Sequence, residues 1–304
     1  MIPKMHIDSW RAFAPWRVDI QVEQDLVISR ALVAIFSDPF LQAKLGFRGG
    51  TALHKLFFST PIRYSEDIDL VQLDQEPFGN IMTQLRNTLD PWLGKPKYKQ
   101  GHGRVTFLYR FESETPPATP LKLKIEINTR EHFSILALNT KMFSVDSLWF
   151  KGEAGIHVYQ IEELLGTKLR ALYQRRKGRD LFDLVASQTA AFLPDWTQVI
   201  NCFNAYMEKE GKRITRAEFE ENMYYKLKDP LFLNDITPLL SSPLSQIYSH
   251  ELGATLLQEK IFPLLPGAPW KGEHYEFVSV KHSSYATFDK YKRSQVSTRA
   301  VTKS

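Results

Sequence analysis

The sequence has little of what marks an exported or membrane-bound protein. Cys202 is the only cysteine among 304 residues, so no internal disulfide can form and nothing requires an oxidising compartment. The apolar runs are short, as in residues 31–36, whereas a membrane-spanning helix needs about 20 consecutive apolar residues. The N-terminal stretch MIPKMHIDSW lacks the apolar core of a signal peptide. These absences predict a cytoplasmic protein that does not span a membrane.

Signatures of several large enzyme classes are also missing. The chain has no G-x-x-x-x-G-K-[ST] phosphate loop, no H-E-x-x-H zinc motif and no G-x-S-x-G nucleophile turn. Its eight histidines show no zinc-ligand spacing, and a lone cysteine cannot build a structural zinc site. No catalytic pattern of these kinds therefore competes with the carboxylate pattern described below.

The excess positive charge is concentrated at one end of the chain. The net charge is +5, and residues 281–304 alone account for it, since they hold six basic side chains against Asp289. Such a tail is either a solvated end or an arm for nucleic acid or another polyanion, and the sequence leaves both interpretations open.

The hydrophobic pattern changes near residue 150. Residues 104–111 and 121–128 alternate between apolar and polar side chains around a proline-rich loop, which predicts two antiparallel strands. Helical spacing dominates later, in residues 160–176, 181–192, 196–210 and 216–228. Residues 230–270 show no clear pattern. We expect an α+β unit, a helical unit and a basic tail, over residues 1–150, 151–280 and 281–304.

A glycine pair and an acidic strand form the first candidate site. Gly49 and Gly50 suit the turn that enters a short helix over residues 51–58, where backbone N–H groups can approach a phosphate. The alternation of residues 63–73 predicts a strand with Ser65, Asp67 and Asp69 on one face. Neighbouring carboxylates repel unless water or a cation screens them, and Mg²⁺ prefers such ligands together with substrate phosphates. The alternative for the acidic residues is a solvated edge strand, and the alternative for the glycine pair is an ordinary turn.

Glu126 is a third candidate carboxylate. It lies on the polar face of the 121–128 strand together with Lys122 and Lys124. That face is either solvated or, beside the D-x-D strand, supplies the carboxylate that completes a metal-binding triad.

Lys168 and an acidic pair form the second candidate site. Lys168 falls on the apolar stripe of the helix predicted over 160–176, so its ammonium must reach solvent or meet a partner. Asp180 and Asp183 are three residues apart and share a helix face. The basic residues beside them suit a triphosphate or an RNA backbone: Arg175, Arg176, Lys177 and Arg179.

Four segments, in this order, resemble the AbiEii/AbiGii-type nucleotidyltransferase toxins, a branch of the DNA polymerase β-like superfamily. They are FRGGTAL at 47–53, IRYSEDIDL at 62–70, KIEI at 124–127 and TKLRALYQRRKGRDLFDL at 167–184. They match a Gly-Gly turn, a D-x-D strand, a later acidic residue, and the lysine and R-D-x-x-D segment of the AbiEii type. The resemblance implies a polymerase β-like nucleotidyltransferase core with a mostly helical C-terminal half.

The resemblance also implies a reaction and roles for the site residues. A nucleoside monophosphate would pass from an NTP to an acceptor, with release of pyrophosphate and with Mg²⁺ or Mn²⁺ as cofactor. Asp67 and Asp69 would bind the metal, and Glu126 would bind a second ion or act as base. Lys168 would grip the triphosphate, and the following acidic pair would orient it or contact the nucleotide. The expected nucleotide-binding and flanking residues are Gly49, Gly50, Thr51, Ser65, Arg48 and Arg63.

The expected biological role is that of a toxin in a toxin–antitoxin or phage-defence system. The acceptor implied by the resemblance is the tRNA 3′ end, whose modification would block translation, and a cognate antitoxin would be the partner. Two alternatives are AMP transfer to a protein hydroxyl and a non-catalytic RNA-binding protein with a degraded core. We expect Asp67→Ala and Lys168→Ala each to abolish transfer and to leave the fold intact.

Ser65 is a candidate control point. A phosphate on Ser65 would place about two negative charges beside Asp67 and would compete for metal and triphosphate. A kinase-like antitoxin could act in this way.

Overall fold

The computed structural model describes residues 2–58, 61–114, 116–188, 193–241 and 248–273. The predicted basic tail, residues 281–304, lies outside them. The chain divides into two compact units, Met1–Gln160 and Ile161–Ser304. The division follows Gln160 instead of residue 150, because Lys151–Val158 forms a strand of the sheet in the first unit.

Helices and one sheet make up the described part of the first unit. The helices are α1 (Lys4–Trp10), α2 (Asp19–Ser37), α3 (Pro39–Lys44), α4 (Gly49–Leu56) and α5 (Gly79–Leu93). The strands are β1 (Leu45–Arg48), β2 (Asp67–Gln72), β3 (Lys97–Gly101), β4 (Arg104–Glu112), β5 (Pro120–Asn128), β6 (Asn139–Asp146) and β7 (Lys151–Val158). Their order in the sheet is β3-β4-β5-β2-β1-β7-β6.

The strand pairing brings the acidic strand next to the strand of Glu126. β4 and β5 pair antiparallel, as the alternation predicts. β2 and β5 pair parallel, and β2 pairs antiparallel with β1 on its other side. The strand with the D-x-D sequence therefore lies inside the sheet and not at its edge.

The two faces of β4 and β5 differ in polarity. One alternating set of side chains is buried: Val105, Phe107, Tyr109, Phe111, Leu121, Leu123, Ile125 and Ile127. Helix α2, which carries buried apolar side chains along most of its length, lies against β2, β5 and β7. Burial of each large apolar side chain stabilises the fold by about 1.5–3 kcal/mol. The opposite face carries the polar side chains and therefore the candidate site.

The acidic strand is shorter than the alternation of residues 63–73 predicts. β2 begins at Asp67, so Ser65 lies before the strand and the prediction that it lines the strand face is wrong. β1 pairs only with residues 69–72, because the chain turns into α4 at Gly49, and β5 pairs with β2 only from Asp67 onward. Neither neighbouring strand offers residues 63–66 a ladder partner.

A buried ion pair fixes α4 to α2. Lys55 Nζ lies 3.0 Å from both carboxylate oxygens of Asp25, and it also contacts Ser29 Oγ at 2.9 Å. Trp10 Nε1 donates to the same carboxylate at 3.0 Å. Because these buried groups satisfy one another, they hold the helix that begins at Gly49 in a defined position.

The second unit is helical in its described residues. Its α-helices are α6 (Ile161–Gln174), α7 (Gly178–Ala186), α8 (Trp196–Lys209), α9 (Arg216–Leu227), α10 (Pro230–Asn234) and α11 (His250–Leu256). α6 and α8 approach closely at Gly166, where a Cβ atom would lie 2.7 Å from the Cβ of Cys202. Nowhere in the described part of the chain is a helix both long enough and apolar enough to cross a bilayer.

Candidate active site

Three carboxylates share the polar face of the sheet in the first unit. Asp67 and Asp69 are two residues apart on β2 and project to the same side. In the parallel pairing with β5, Asp69 lies opposite Glu126 and Asp67 lies opposite Lys124. Residues paired in this way present their side chains to one face. The structure therefore brings together the three carboxylates that the sequence selects.

The ammonium of Lys124 bridges two of these carboxylates. Lys124 Nζ lies 2.9 Å from Asp67 Oδ2 and 3.0 Å from Glu126 Oε2. Arg104 adds a second cation, with Nη1 3.1 Å from Glu126 Oε1. Partial burial lowers the pKa of Lys124, but its hydrogen bonds to the two carboxylates outweigh burial and raise the pKa overall. The amine is charged at neutral pH and compensates the carboxylates.

The donor set of this face suits a hard divalent cation. Carboxylate oxygens are preferred ligands of Mg²⁺ and Mn²⁺, and the Lys124 ammonium already stands in for a cation between two carboxylates. In the part of the chain that the structure describes, no three acidic, histidine or cysteine side chains form a ready metal-binding group. These carboxylates are therefore suitable ligands for Mg²⁺ or Mn²⁺, and a bound ion would take the place of the Lys124 ammonium.

Gly49 begins α4 directly against Asp69. Its φ is +82°, in the left-handed region that favours glycine. A Cβ atom on Gly49 would lie 2.2 Å from Asp69 Oδ2, so a side chain is excluded by space as well as by backbone conformation. The first N–H groups of a helix have no acceptor within the helix. The glycine pair therefore brings a helix N-terminus, whose first N–H groups have no acceptor within the helix, to the carboxylates.

Thr51 ties the start of α4 to the start of β2. Its buried Oγ1 donates to the Asp67 carbonyl at 2.5 Å and lies 2.7 Å from Ser65 Oγ. A carbonyl can only accept, so the single hydroxyl proton of Thr51 is committed to Asp67. The Ser65 hydroxyl is therefore the donor to Thr51. This contact, and not the strand, positions Ser65.

The two flanking arginines have different environments. Arg48 lies opposite Asp69 in the β1–β2 register, and its Nη1 is 2.6 Å from Glu131 Oε2. Arg63 is buried, and its Nη1 donates to the Tyr64 carbonyl at 3.0 Å. The structure therefore places Arg48 in the row of the carboxylates and gives Arg63 a buried position.

The second unit holds Lys168 in a buried ion-pair cluster. Lys168 Nζ lies 2.8 Å from Asp183 Oδ2 and 3.3 Å from Asp180 Oδ1, and both carboxylates are fully buried. Arg175 binds Asp180 with two donors, at 2.7 and 2.8 Å. Although Lys168 lies on the apolar stripe of α6, its ammonium is paired with these carboxylates and does not reach solvent. The prediction that Asp180 and Asp183 share a helix face holds, since both meet the same ammonium.

The basic run after α6 is paired within the second unit. Besides Arg175, Arg176 Nη1 lies 3.4 Å from Asp229 Oδ2. Lys177 and Arg179 both contact the Asp235 carboxylate, at 3.2 and 3.3 Å. The expectation of a basic cluster available to a polyanion is weakened, because each of these cations has a carboxylate partner.

Lys226 caps the C-terminal end of α6. Its Nζ donates to the Leu172 carbonyl and, at 2.8 Å, to the Tyr173 carbonyl, two groups left without helical partners. Burial lowers the pKa of the Lys226 amine to about 8. This cap holds the last turn of the helix that carries Lys168.

The site residues form two sets, one in each unit. The first unit assembles the carboxylates with the start of α4, and the second assembles Lys168 with its acidic pair. Sequence reasoning missed two of their partners as site residues, Lys124 and Arg104, and named Arg175 only as part of the basic run. The alternation of β5 does place Lys124 on the face of Glu126, and this was the available signal. Nothing in the sequence indicates that Arg104, which lies opposite Asn128 in the β4–β5 register, contacts Glu126.

A glycine turn into a helix N-terminus, two carboxylates on a central strand and a third on its parallel neighbour form the arrangement expected of a nucleotidyltransferase. A family described as the nucleotidyl transferase AbiEii toxins of type IV toxin–antitoxin systems matches residues 30–253, and the chain belongs to this family. The predicted family and enzyme class are confirmed. The family implies an NTP substrate and an antitoxin partner.

The chain is similar to several solved structures. MenT4, a nucleotidyltransferase toxin from Mycobacterium tuberculosis H37Rv, is 16% identical over 99% of both chains, with a TM-score of 0.59. JHP933 from Helicobacter pylori is 17% identical over 95% of this chain and 100% of its own, with a TM-score of 0.47. The comparison with curated proteins gives no match. The predicted α+β nucleotidyltransferase fold with a helical second half is confirmed by the likeness to MenT4.

Proposed function

We propose that this toxin transfers a nucleoside monophosphate from an NTP to the 3′ end of tRNA and thereby blocks translation. The observation that carries the proposal is the shared face of Asp67, Asp69 and Glu126, against which α4 begins at Gly49. Phosphoryl transfer depends on positioning and on neutralisation of phosphate charge. Carboxylates that can hold metal, beside N–H donors that can hold phosphate, meet both needs. We place the reaction in the cytoplasm, where NTPs and tRNA meet.

The carboxylates have the following roles in this proposal. Mg²⁺ or Mn²⁺, when bound, neutralises phosphate charge and polarises the α-phosphate. Asp67 and Asp69 would hold this ion, and Glu126 would hold a second ion or accept the proton of the attacking hydroxyl. The hydroxyl oxygen forms a bond to the α-phosphorus as the bond to the leaving pyrophosphate breaks.

Backbone N–H groups and basic side chains are the proposed donors to the phosphate oxygens. Gly49, Gly50 and Thr51 offer backbone N–H groups, since the hydroxyl proton of Thr51 is already committed. Arg48 adds charge from the row of Asp69. In the second unit, Lys168 is the proposed ligand of the triphosphate, and its acidic pair holds the ammonium in place.

Ser65 remains a proposed control point, now with a defined contact. Phosphorylation would remove the hydroxyl proton that Ser65 donates to Thr51 and would add about two negative charges. Both effects fall on the start of α4 and on Asp67, two residues along the chain. If a kinase-like antitoxin phosphorylated Ser65, the added phosphate would therefore repel the triphosphate from the site.

Gly49→Ala is expected to slow transfer by about 100-fold, because the new Cβ must displace the Asp69 carboxylate and small misplacements are costly. Gly94→Ala is the matched control, since Gly94 also has a positive φ, +77°, but no atom within 4 Å of its would-be Cβ. Both variants place an alanine at a positive φ, and only one of them moves a carboxylate. Equal transfer rates in the two variants would contradict the proposed role of Asp69.

The function is tested by incubating the purified protein with Mg²⁺, total tRNA and each α-³²P-labelled NTP in turn. We expect label in tRNA with at least one NTP, and no label with a variant in which Asp67 is asparagine. Label in a protein band instead of RNA would reassign the acceptor to a protein hydroxyl. No label in RNA or protein would contradict the proposed reaction.

A further inference from the structure

The polar face of the sheet continues from the carboxylates to the edge strand β3. Residues paired across the strands form two rows on this face. One row consists of Asp67, Lys124, Leu108 and Lys97, and the other of Asp69, Glu126, Thr106 and Lys99. Both rows end on a lysine of β3, three strand spacings, or about 14 Å, from the carboxylates of β2.

Basic side chains predominate on this face of β3, β4 and β5. Six side chains are basic and two are acidic: Lys97, Lys99, Arg104, Arg110, Lys122 and Lys124 against Glu112 and Glu126. Arg104 and Lys124 pair with the site carboxylates. Among the described residues no carboxylate lies within ion-pair distance of Lys97, Lys99, Arg110 or Lys122, and all four are exposed. Their charge is available to a ligand, unlike that of the paired basic run after α6.

We propose that this surface, the basic face of β3–β5, binds the phosphate backbone of the RNA acceptor. The inference deepens the proposed function and rests on it for the position of the acceptor's 3′ end. With the 3′ hydroxyl at the carboxylates, the adjoining nucleotides cross β5 and β4, and their phosphates meet Lys97 and Lys99 on β3. Lysines that contact phosphates supply affinity that does not depend on base sequence.

Lysine on an exposed edge strand has a second ordinary role, which is to block pairing with another chain. Glutamate at the same positions keeps the edge charged but repels a phosphate backbone. The double variant Lys97→Glu/Lys99→Glu therefore separates the two roles. Lys4→Glu/Lys151→Glu is its charge-matched control, because both lysines are exposed in the same unit and lie outside the two rows.

The test is the fluorescence anisotropy of a fluorescein-labelled tRNA, titrated with the full chain in EDTA and without NTP, at 50–200 mM salt. We expect the β3 double variant to bind at least about tenfold more weakly than wild type. We also expect its slope of log Kd against log salt to fall by about two, because two phosphate contacts are lost. The control variant should bind as wild type does.

Equal binding by the β3 variant and its control would overturn the inference, and so would a wild-type protein that does not bind tRNA. The assay involves no catalysis, so its result is independent of the transfer reaction. If only the β3 variant loses binding but wild type labels no RNA, the basic face stands and the proposed reaction fails. If wild type labels tRNA and the β3 variant binds normally, the reaction stands and the basic face fails.

Discussion

Asp67→Asn is expected to lower the rate of nucleotidyl transfer by about 10³-fold or more while the protein stays folded. A catalytic metal contributes several kcal/mol to the transition state, and about 1.4 kcal/mol corresponds to a factor of ten. Asparagine keeps the shape of the side chain but removes the charge that would hold the metal. The rate of α-³²P label transfer to tRNA measures the effect.

The structure explains why this variant should remain folded. The Thr51 hydrogen bond is made to the main-chain carbonyl of residue 67 and survives the substitution. The lost ion pair with Lys124 is partly exposed, and such pairs contribute less than about 1 kcal/mol. Asp74→Asn is the control, since it removes an exposed carboxylate paired with Lys44 near the end of the same strand. Full activity in a folded Asp67→Asn protein would refute the metal assignment.

Lys168→Ala is expected to destabilise the second unit by about 3–5 kcal/mol, because it leaves two buried carboxylates without their shared cation. The sequence alone predicts that this variant keeps its fold, and the burial of Asp180 and Asp183 changes that expectation. Urea unfolding of the full chain measures the loss. Lys212→Ala is the control, since its exposed pair with Glu210 contributes less than about 1 kcal/mol.

A second variant separates the structural role of Lys168 from its proposed catalytic role. Lys168→Met/Asp183→Asn removes both charges of the closer pair and leaves Asp180 with Arg175. We expect it to recover most of the stability lost in Lys168→Ala, while transfer stays absent. Recovery of transfer together with stability would show that Lys168 acts only in folding. A Lys168→Ala protein as stable as wild type would contradict the assignment of a buried ion pair.

Local sequence patterns predict the individual strands and helices, whereas the pairing of distant strands determines which side chains meet in the candidate site. The alternation of Leu121, Leu123, Ile125 and Ile127 identified β5 because one face of that strand is buried. The spacing of Asp180 and Asp183 likewise placed both on one helix face. Alternation over residues 63–73 overextended β2, because a strand ends where its neighbours end and β1 turns away at Gly49.

Partners from distant strands could not be inferred from the sequence. The pairing of β2 with β5 sets Asp69 opposite Glu126 and Asp67 opposite Lys124. Asp67 and Lys124 are 57 residues apart in the chain, so local sequence patterns cannot reveal this register. The change of hydrophobic pattern near residue 150 likewise does not mark the end of the first unit. That unit extends to Gln160, because β7 pairs within its sheet.

The buried cap at the end of α6 couples the folding of the second unit to protons. The Lys226 amine has a pKa of about 8 when folded, below its value of about 10.4 in the unfolded chain. Below pH 8 both states carry the proton, and the folded state bears the whole cost of the buried charge. Between pH 8 and about 10.4 only the unfolded state keeps it, so this group makes the unit more stable as the solution becomes alkaline. Acidification therefore weakens the helix that presents Lys168 through an amine that need not touch any substrate.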